Sequence, residues 1–275
     1  MQKITDIEQL KTIAKDVRRD ILSMIYEAGS GHPGGSLSAT DFLTVLFFKY
    51  LNHNPKNPKD NNRDRFILSK GHCCPVYYSL LARTGYFDVN ELMTFRKLNS
   101  RLQGHPDKSK FDLMETTSGS LGQGLSIAAG IAFALRLDNN PAKVYCLLGD
   151  GELNEGQVWE SLATINKYNL NNLIIIIDNN HIQLDGTNKD IKDLEPLQKK
   201  FFDFGFNTIM ADGHDMVQIM SAFENALNSS NEGKNNIIIF NTVKGKGVSF
   251  MENTAEWHGK APNKEQFQRA IEELR

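Results

Sequence analysis

The sequence predicts an α/β fold in which a parallel sheet carries helices on both faces. Three short and continuously apolar segments, 143–148, 173–177 and 237–242, have the composition of strands that are buried on both sides. Helical patterns precede each of them, and alternation of strands with helices is typical of parallel sheets. We expect residues 1–275 to form a single domain with a short C-terminal helical tail, because a chain of 275 residues suits one large domain better than two small ones.

The N-terminal part of the chain contains two predicted helices and one predicted strand. A capping-box pattern at Thr5 and Glu8 opens the first helix, whose apolar residues recur at helical spacing until Gly29. After a glycine-rich turn, a second apolar helix is predicted over 38–50. A polar loop then leads to a short buried strand at 65–69.

The later elements alternate between helix and strand. A glycine-rich turn at 119–124 precedes a long apolar helix over 125–137, and a shorter helix is predicted over 157–168. Another helix is predicted over 216–227, and the last segment, 264–275, is polar and helical. Every predicted strand after the first therefore follows a helix.

The balance of charge and the apolar patterning exclude several classes of function. Lys and Arg number 31 while Asp and Glu number 33, so the chain has no field of one sign that would bind nucleic acid or an anionic membrane. Its apolar stretches are too short to span a bilayer, and its first ten residues lack the apolar core of a signal peptide. Three cysteines give neither a disulfide framework nor a zinc-binding spacing, so we expect a cytoplasmic protein. A dinucleotide-binding dehydrogenase is set aside because its glycine fingerprint is missing.

Two polar clusters follow successive predicted strands. Asp150 offers a carboxylate after one strand, and Asn180 offers an amide oxygen after the next. Ligands collect at the carboxyl ends of parallel strands, and hard oxygen donors suit Mg²⁺ or Ca²⁺ ions that also bind phosphate. The glycine-rich helix start at 119–125 adds backbone N–H groups, which provide another place for a diphosphate. Each feature alone is commonly a turn or a packing contact, but their combination is much rarer.

The run Gly149-Asp150-Gly151 followed by Asn180 resembles the signature of thiamine-diphosphate enzymes. The resemblance implies thiamine diphosphate as the cofactor and Mg²⁺ as the ion that bridges to its diphosphate, with Ca²⁺ or Mn²⁺ as substitutes. It implies that the metal ligands are Asp150, Asn180 and the backbone carbonyl of Ile182, and that Gly151 contacts the diphosphate. The fold that it implies is the thiamine-diphosphate-binding, or diphosphate-binding domain, fold.

Several further segments are similar to transketolases and occur in the order found in that family. They are residues 30–34, 64–72, 104–106, 118–124, 242–247 and 257–259. The similarity extends from about residue 10 to residue 262. We therefore expect a member of the transketolase family.

The family resemblance implies catalytic roles for four histidines. His32, His72 and His258 resemble those that line the reacting carbon and exchange protons with substrate and cofactor, and an imidazole has a pKa suited to that task. His72 and His258 are also expected to contact the cofactor. His105 resembles the histidine that contacts the substrate hydroxyls.

Five other residues receive roles from the same resemblance. Lys70 and Lys244 resemble pocket lysines near the cofactor, and Gly119 and Leu121 resemble the loop that contacts the diphosphate and the aminopyrimidine. Glu155 resembles the acid at the subunit boundary that links the two active sites of a dimer. It is also placed to cap the helix that follows it.

Three histidines receive no catalytic role. His53 and His214 are interpreted as surface or capping residues, because a lone histidine outside a motif usually is one. His181 lies within the metal loop and is left unassigned.

Parts that thiamine chemistry requires have no match in this sequence. In full-length transketolases the glutamate that activates the cofactor, the aromatic pocket for its pyrimidine and the arginines that bind a sugar phosphate belong to a second domain. We therefore expect the N-terminal subunit of a split transketolase, paired with a C-terminal subunit that carries the pyrimidine-binding and C-terminal domains in an α₂β₂ assembly. The expected reaction transfers a two-carbon ketol unit from a ketose phosphate to an aldose phosphate.

Other interpretations stay open. The chain is alternatively a fragment of a longer protein, or part of a split enzyme that acts on an unusual or sulfonated sugar. A non-catalytic assembly subunit is a further alternative, which the intact set of Asp150, Asn180, Glu155 and pocket histidines disfavours. A 1-deoxyxylulose-phosphate synthase is less favoured, because His32 lies in a Ser-Gly-His-Pro-Gly context.

Overall fold

The computed structural model describes residues 3–275, so residues 1 and 2 of the predicted domain lie outside the described part. Within it, one parallel sheet has five strands in the order β1-β2-β3-β5-β4. The strands are β1 (Arg65–Leu68), β2 (Val144–Gly149), β3 (Leu173–Asn179), β4 (Asn207–Asp212) and β5 (Asn236–Asn241). The predicted α/β class is therefore confirmed.

Residues 3–275 form ten α-helices, most of which pack against the two faces of this sheet. They are α1 (Ile7–Ala28), α2 (Pro33–Ser38), α3 (Thr40–Val45), α4 (Cys74–Arg83), α5 (Gln123–Leu137), α6 (Gly156–Tyr168), α7 (Asn188–Ile191), α8 (Leu197–Asp203), α9 (Met216–Asn231) and α10 (Lys264–Glu273). One core, between the sheet and α1 to α4, α9 and α10, includes the β2 residues Tyr145 and Leu147. The other, between the sheet and α5, α6 and α8, includes Cys146 and Leu148, as the alternation of strand side chains requires.

The central strands β2, β3 and β5 are almost entirely buried, which explains why their sequences are continuously apolar. Strand β4 was not predicted. It is the edge strand next to β5, most of its residues are partly exposed, and Met210 is 45% exposed. A strand with one open edge and a mixed composition does not carry the apolar signal of a central strand.

The N-terminal helices differ in detail from the prediction. Asp6, rather than Thr5, caps α1 by accepting the Gln9 N–H at 2.7 Å, and Gly29 ends the helix in the left-handed region (φ 61°). The predicted helix over 38–50 begins earlier, with Pro33 in its first turn, and is divided into α2, α3 and a π-helical turn at Leu46–Tyr50. These short helices are fully buried up to Phe48.

The C-terminal helix is part of the main core. The Phe267 ring of α10 stacks on Tyr26 of α1 with their centroids 4.3 Å apart, and Ala270 is buried. The segment predicted as a helical tail therefore packs along α1. Among residues 3–275, no helix combines the length and the apolarity needed to cross a membrane.

Parallel pairing places the carboxyl ends of all five strands at one edge of the sheet. Gly149 of β2 stands in register with Asp178 of β3, and Asp178 stands in register with Phe240 of β5. The segments that follow these strands carry the polar residues singled out from the sequence, and β1 ends just before Lys70 at the same edge. The topology thus gathers residues that are far apart in the chain.

Candidate active site

A buried ion pair lies at the centre of this edge. The Lys70 ammonium contacts the Asp178 carboxylate, and the two side chains are 2% and 0% exposed. Asp178 also accepts hydrogen bonds from the hydroxyls of Ser38 (2.6 Å) and Thr242. Burial alone would raise the pKa of Asp178, but Lys70 and the two hydroxyl donors hold it below its usual value. Asp178 is therefore a fixed anion around which the strand ends are arranged.

Asn180 is oriented by this anion. Its Nδ2 donates to Asp178 Oδ2 at 3.2 Å, which leaves its Oδ1 directed away from Asp178, where it accepts the Ile182 N–H at 3.2 Å. An amide has one oxygen and one NH₂ group, so the contact with Asp178 decides which of them is free to bind a cation.

Asp150 is a buried carboxylate, and no cationic side chain within residues 3–275 is in direct contact with it. It accepts the backbone N–H of Gly151 at 2.8 Å, the Asn188 amide at 2.9 Å and the His181 N–H. Burial, together with the nearby charge of Asp178, raises the pKa of Asp150 to about 6. A carboxylate in this state is favourably placed for a cation.

The three predicted metal ligands line one cleft of about 270 Å³, here called the sheet-edge cleft. Asp150, Asn180 and Ile182 offer a carboxylate, an amide and a carbonyl oxygen. Among residues 3–275, no cluster of three or more His, Cys, Asp or Glu side chains is placed to hold a metal. A set with one carboxylate suits Mg²⁺ only when phosphate oxygens and water complete its shell.

The wall of the sheet-edge cleft carries polar atoms that the described chain leaves unpaired. Asn154 Oδ1 and Gln183 Nε2 are buried there and have no hydrogen-bond partner within residues 3–275. A Cβ atom at Gly151 would lie 3.0 Å from Gln183 Cγ, so a glycine keeps this wall open. The donor set and the open cradle together fit a diphosphate with a divalent cation.

Lys244 lies in the same cleft and contacts one of the predicted metal ligands, the Ile182 carbonyl. Its ammonium donates to the carbonyls of Ile182 and Gln183, both at 3.0 Å, and to Nδ1 of His258 at 2.8 Å. The side chain is buried, and burial lowers its pKa to about 8. The three protons of the Lys244 ammonium are thus each directed at one acceptor, and the lysine fixes the orientation of the His258 ring.

The four predicted catalytic histidines form one cluster. The His32 ring centroid lies 5.3 Å from that of His72, 6.0 Å from that of His105 and 5.6 Å from that of His258. Burial lowers the pKa of His32 to about 4 and that of His258 to about 3, with nearby cations adding to the effect. Burial also lowers the pKa values of His72 and His105. The cluster is therefore uncharged at neutral pH and can accept or donate protons.

Two separate clefts meet at this cluster. His72 and His258 line the sheet-edge cleft, whereas His105 lines an open cleft of about 610 Å³, here called the outer cleft. The outer cleft is bounded by Ser30, Arg96 and Ser118 among others. His32, within contact range of all three other rings, stands between the two.

Glu152 was not singled out from the sequence. It is 3% exposed, and its carboxylate accepts the Gly122 N–H at 2.8 Å, the Gly149 N–H at 3.1 Å and the Ser69 hydroxyl. It therefore ties the turn before α5 to the ends of β1 and β2. An acid directly after Gly-Asp-Gly was the available signal, but sequence alone does not distinguish it from a surface charge.

The glycine-rich turn before α5 reaches both clefts. Gly119 (φ 147°) lies against the His105 ring, where a Cβ atom would be 3.5 Å from Cγ, and Leu121 lines the sheet-edge cleft. Glu155 occupies the N-cap position of α6, but its side chain makes no capping hydrogen bond. It lies in the sheet-edge cleft instead.

The surface interpretation of His53 and His214 is wrong. His53 is buried and bonds to the Tyr86 hydroxyl at 3.0 Å and the Phe47 carbonyl at 2.9 Å. His214 bonds to Asp41 at 2.8 Å, while its Nε2 accepts the Val243 N–H at 2.8 Å. Both histidines hold loops together, which is a tertiary role that local sequence does not reveal. His181, left unassigned, has a left-handed backbone (φ 63°) and an exposed side chain.

Comparison with known proteins decides the family. Residues 9–274 match the family model described as "Transketolase, thiamine diphosphate binding domain". The chain belongs to the transketolase family. This confirms the predicted family, the thiamine-diphosphate-binding fold and the class of enzyme, a transketolase-type transferase.

Transketolase-family relatives fall into two groups by length. An apulose-4-phosphate transketolase subunit of Actinobacillus succinogenes is 40% identical over 98% of this chain and 96% of its own length. The 6-deoxy-6-sulfo-D-fructose transketolase subunit of a Clostridium strain is 40% identical over 95% of this chain and 94% of its own. Human transketolase is 36% identical over 98% of this chain, which spans only 42% of the human protein.

Solved transketolases share the structure as well. The Campylobacter jejuni enzyme superposes with a TM-score of 0.91 at 34% identity, over 98% of this chain and 43% of that one. The Leishmania mexicana enzyme superposes with a TM-score of 0.90 at 30% identity, over 96% of this chain and 41% of that one. The chain thus spans about two fifths of these full-length transketolases.

Proposed function

We propose that this chain is the N-terminal, diphosphate-binding subunit of a split transketolase. The observation that carries the proposal is the meeting of Asp150, Asn180 and the Ile182 carbonyl in one cleft with His72 and His258. The chain covers nearly the full length of relatives that are themselves named as transketolase subunits, but only two fifths of full-length transketolases. This difference supports a separate subunit made of one diphosphate-binding domain.

Thiamine diphosphate would lie in the sheet-edge cleft. Asp150, Asn180 and the Ile182 carbonyl would hold Mg²⁺, or Ca²⁺ or Mn²⁺ in its place, on the diphosphate. The turn with Gly119 and Leu121 would contact the diphosphate and the aminopyrimidine, and Gly151 the diphosphate. When bound, the cofactor supplies a nucleophilic carbon and an electron sink. Lys244 borders the same space, and Lys70 acts on it through Asp178.

The histidines of the cluster would carry out proton transfer. Their low pKa values keep His32, His72 and His258 neutral at pH 7. Each neutral ring has one N–H group and one unprotonated nitrogen, so it can hold or move a proton beside the reacting carbon without first losing a proton. His105, at the outer cleft, is placed for the hydroxyls of an incoming sugar. The chain also orients its ligands and excludes water from the buried edge.

A C-terminal subunit would complete the site by binding at α5 and α6. A groove of about 400 Å³ between these helices, here called the α5–α6 groove, is lined by Gly130, Phe133 and Gln157 among others. Phe133 is 37% exposed, and no atom of the described residues lies within 4 Å of a Cβ atom placed at Gly130. Because Glu155 in the sheet-edge cleft is two residues from Gln157 in the groove, a partner seated in the groove would reach the cofactor. We infer an α₂β₂ assembly with Glu155 at the boundary.

We propose that the complex transfers a two-carbon ketol unit between sugar phosphates in the cytoplasm. Three free, buried cysteines agree with a reducing compartment. An unusual or sulfonated sugar is the second candidate, since relatives named for apulose-4-phosphate and for a sulfonated fructose are each 40% identical. The partner would carry the anion-binding arginines and so decide between phosphate and sulfonate.

The test is reconstitution with candidate C-terminal subunits. Ketol transfer should require both chains, thiamine diphosphate and Mg²⁺, and parallel assays with phosphorylated and sulfonated ketoses would assign the donor. Turnover by this chain alone would overturn the split-subunit proposal. An assembled complex that binds cofactor but transfers no ketol unit from any of these donors would favour the non-catalytic alternative.

A further inference from the structure

Arg96 places a guanidinium against the central histidine of the cluster. Its Nη1 donates to the Ser30 hydroxyl at 2.7 Å, and its Nη2 lies 3.3 Å from the Gly104 carbonyl and 3.4 Å from His32 Nδ1. One side chain therefore connects the loop of His32 to the loop that precedes His105. The sequence resemblance assigned it no role.

The backbone around Arg96 and the residues packed against it fix the position of this side chain. Arg96 adopts a left-handed backbone (φ 58°), which is uncommon for a residue with a side chain, and its N–H donates to the Leu102 carbonyl at 2.9 Å. The preceding residue, Phe95, is fully buried and anchors the turn. A Cβ atom at Gly104 would lie 2.8 to 3.0 Å from the guanidinium, so any other residue at position 104 would displace the guanidinium.

The contact fixes the protonation of His32. A guanidinium carries only donors and stays charged at all working pH values, so the ring nitrogen that faces it must be an acceptor. His32 Nδ1 is therefore unprotonated, and the proton of the neutral ring lies on Nε2. Within residues 3–275, Nε2 has no hydrogen-bond partner, which leaves its N–H available to a ligand.

We propose that Arg96 is a positioning residue that holds His32 as a neutral Nε2–H donor between the two clefts. The proposal rests on the proposed function, because it names the proton that His32 offers to a substrate oxygen in that reaction. Other charged or titratable groups around the ring are His72, His105, His258 and Lys244. Lys244 holds Nδ1 of His258 in the same way, so two rings of the cluster present the same tautomer.

The tautomer can be measured without catalysis. Two-bond ¹H–¹⁵N correlation spectra of the full chain labelled at histidine nitrogens distinguish an Nε2–H ring from an Nδ1–H ring, and a His32→Gln variant assigns the signal. We expect one Nε2–H pattern for His32 between pH 6 and 8. An Nδ1–H ring or an averaged mixture in the unsubstituted chain would overturn the proposal while leaving the proposed enzyme function untouched.

Three variants test the role of Arg96. Arg96→Met removes the donor, and Arg96→Lys keeps the charge but lacks the planar fork whose two nitrogens reach Ser30 on one side and Gly104 and His32 on the other. Gly104→Ala keeps the arginine but displaces it. In the reconstituted complex, Arg96→Met and Gly104→Ala should each lower kcat by about tenfold or more and change KM much less, because a positioned proton donor acts mainly in the transition state. Arg96→Lys should lie between these variants and the unsubstituted enzyme.

A neighbouring lysine gives the matched control. Lys97 follows Arg96 directly, but its ammonium pairs with Glu27 at 2.6 Å and is half exposed, so Lys97→Met should change neither kcat nor the His32 spectrum. Thermal unfolding of every variant separates a local effect from loss of the fold. Unchanged His32 shifts and unchanged kcat in folded Arg96→Met would refute the positioning role.

Discussion

The ammonium of Lys70 is paired with the carboxylate of Asp178 where β1 and β3 end, and both side chains are buried. Asp178 in turn binds the amide nitrogen of Asn180. The ion pair therefore supports the orientation of Asn180, a predicted metal ligand, through Asp178. It also explains how Lys70 can serve the cofactor site although its ammonium is directed towards Asp178 and the Gly35 carbonyl.

Replacing Lys70 should destabilise the chain strongly. Lys70→Met leaves the Asp178 charge buried with only neutral donors, and breaking one half of a buried pair costs about 3–5 kcal/mol. Urea unfolding of the isolated chain measures this change in free energy. The exposed pair of Lys199 with Asp203 provides the control, because Lys199→Met should cost less than about 1 kcal/mol. Equal effects of the two substitutions would contradict a structural role for the Lys70–Asp178 pair.

Removing the charge of Asp150 should abolish metal-dependent cofactor binding. Thiamine diphosphate with Mg²⁺ should raise the stability of the reconstituted complex, by about 2.7 kcal/mol at a hundred times Kd, because a ligand bound only to the folded state stabilises it. Asp150→Asn should lose this gain, since the amide cannot supply the anionic ligand that Mg²⁺ requires. Thermal unfolding with and without both ligands, and Mn²⁺ binding followed by electron paramagnetic resonance, give two readouts.

Asp185 is the matched control for that experiment. It lies in the same loop as the predicted ligands Asn180 and Ile182, but it is exposed and lines neither cleft. Asp185→Asn should therefore keep both the thermal shift and the Mn²⁺ signal. Full cofactor-dependent stabilisation of Asp150→Asn would remove Asp150 from the metal site.

Acid should destabilise the chain through its histidine cluster. The pKa of His32 is lowered to about 4 and that of His258 to about 3, mainly by burial, against 6.5 for an ordinary histidine. The folded chain thus binds fewer protons than the unfolded chain between these values, and protons favour unfolding. The contribution of these rings is fully present above pH 6.5 and is lost as the pH falls towards 4.

Chemical denaturation between pH 8 and 4.5 measures this dependence. A His32→Gln/His258→Gln double variant should show a shallower loss of stability below pH 6.5, because it lacks two of the groups that take up protons on unfolding. A slope identical to that of the unsubstituted chain would mean that the two rings titrate normally in the folded state.

The sequence predicted those elements that have a distinctive local pattern of residues. The central strands are continuously apolar because both faces of β2, β3 and β5 are buried, and the clustering of Asp150 with Asn180 follows from parallel topology. The sequence could not predict contacts between loops that are far apart in the chain. Arg96 lies next to His32 only because of a left-handed turn and an open space at Gly104, and His214 reaches Val243 across the sheet edge. No spacing or periodicity in the sequence indicates such contacts.

A lysine at position 130 should separate folding from assembly. Gly130 is exposed in the middle of α5, its backbone is helical, and the space around its missing side chain is open, so Gly130→Lys should fold and gain about 0.5–1 kcal/mol from better helix propensity. The same side chain would enter the α5–α6 groove and place a charge where we propose that the C-terminal subunit packs. Light scattering after gel filtration should then show loss of the complex and ketol transfer should cease, whereas Asn225→Lys on the exposed side of α9 should leave both intact. A fully assembled and active Gly130→Lys complex would place the partner on another face of the domain.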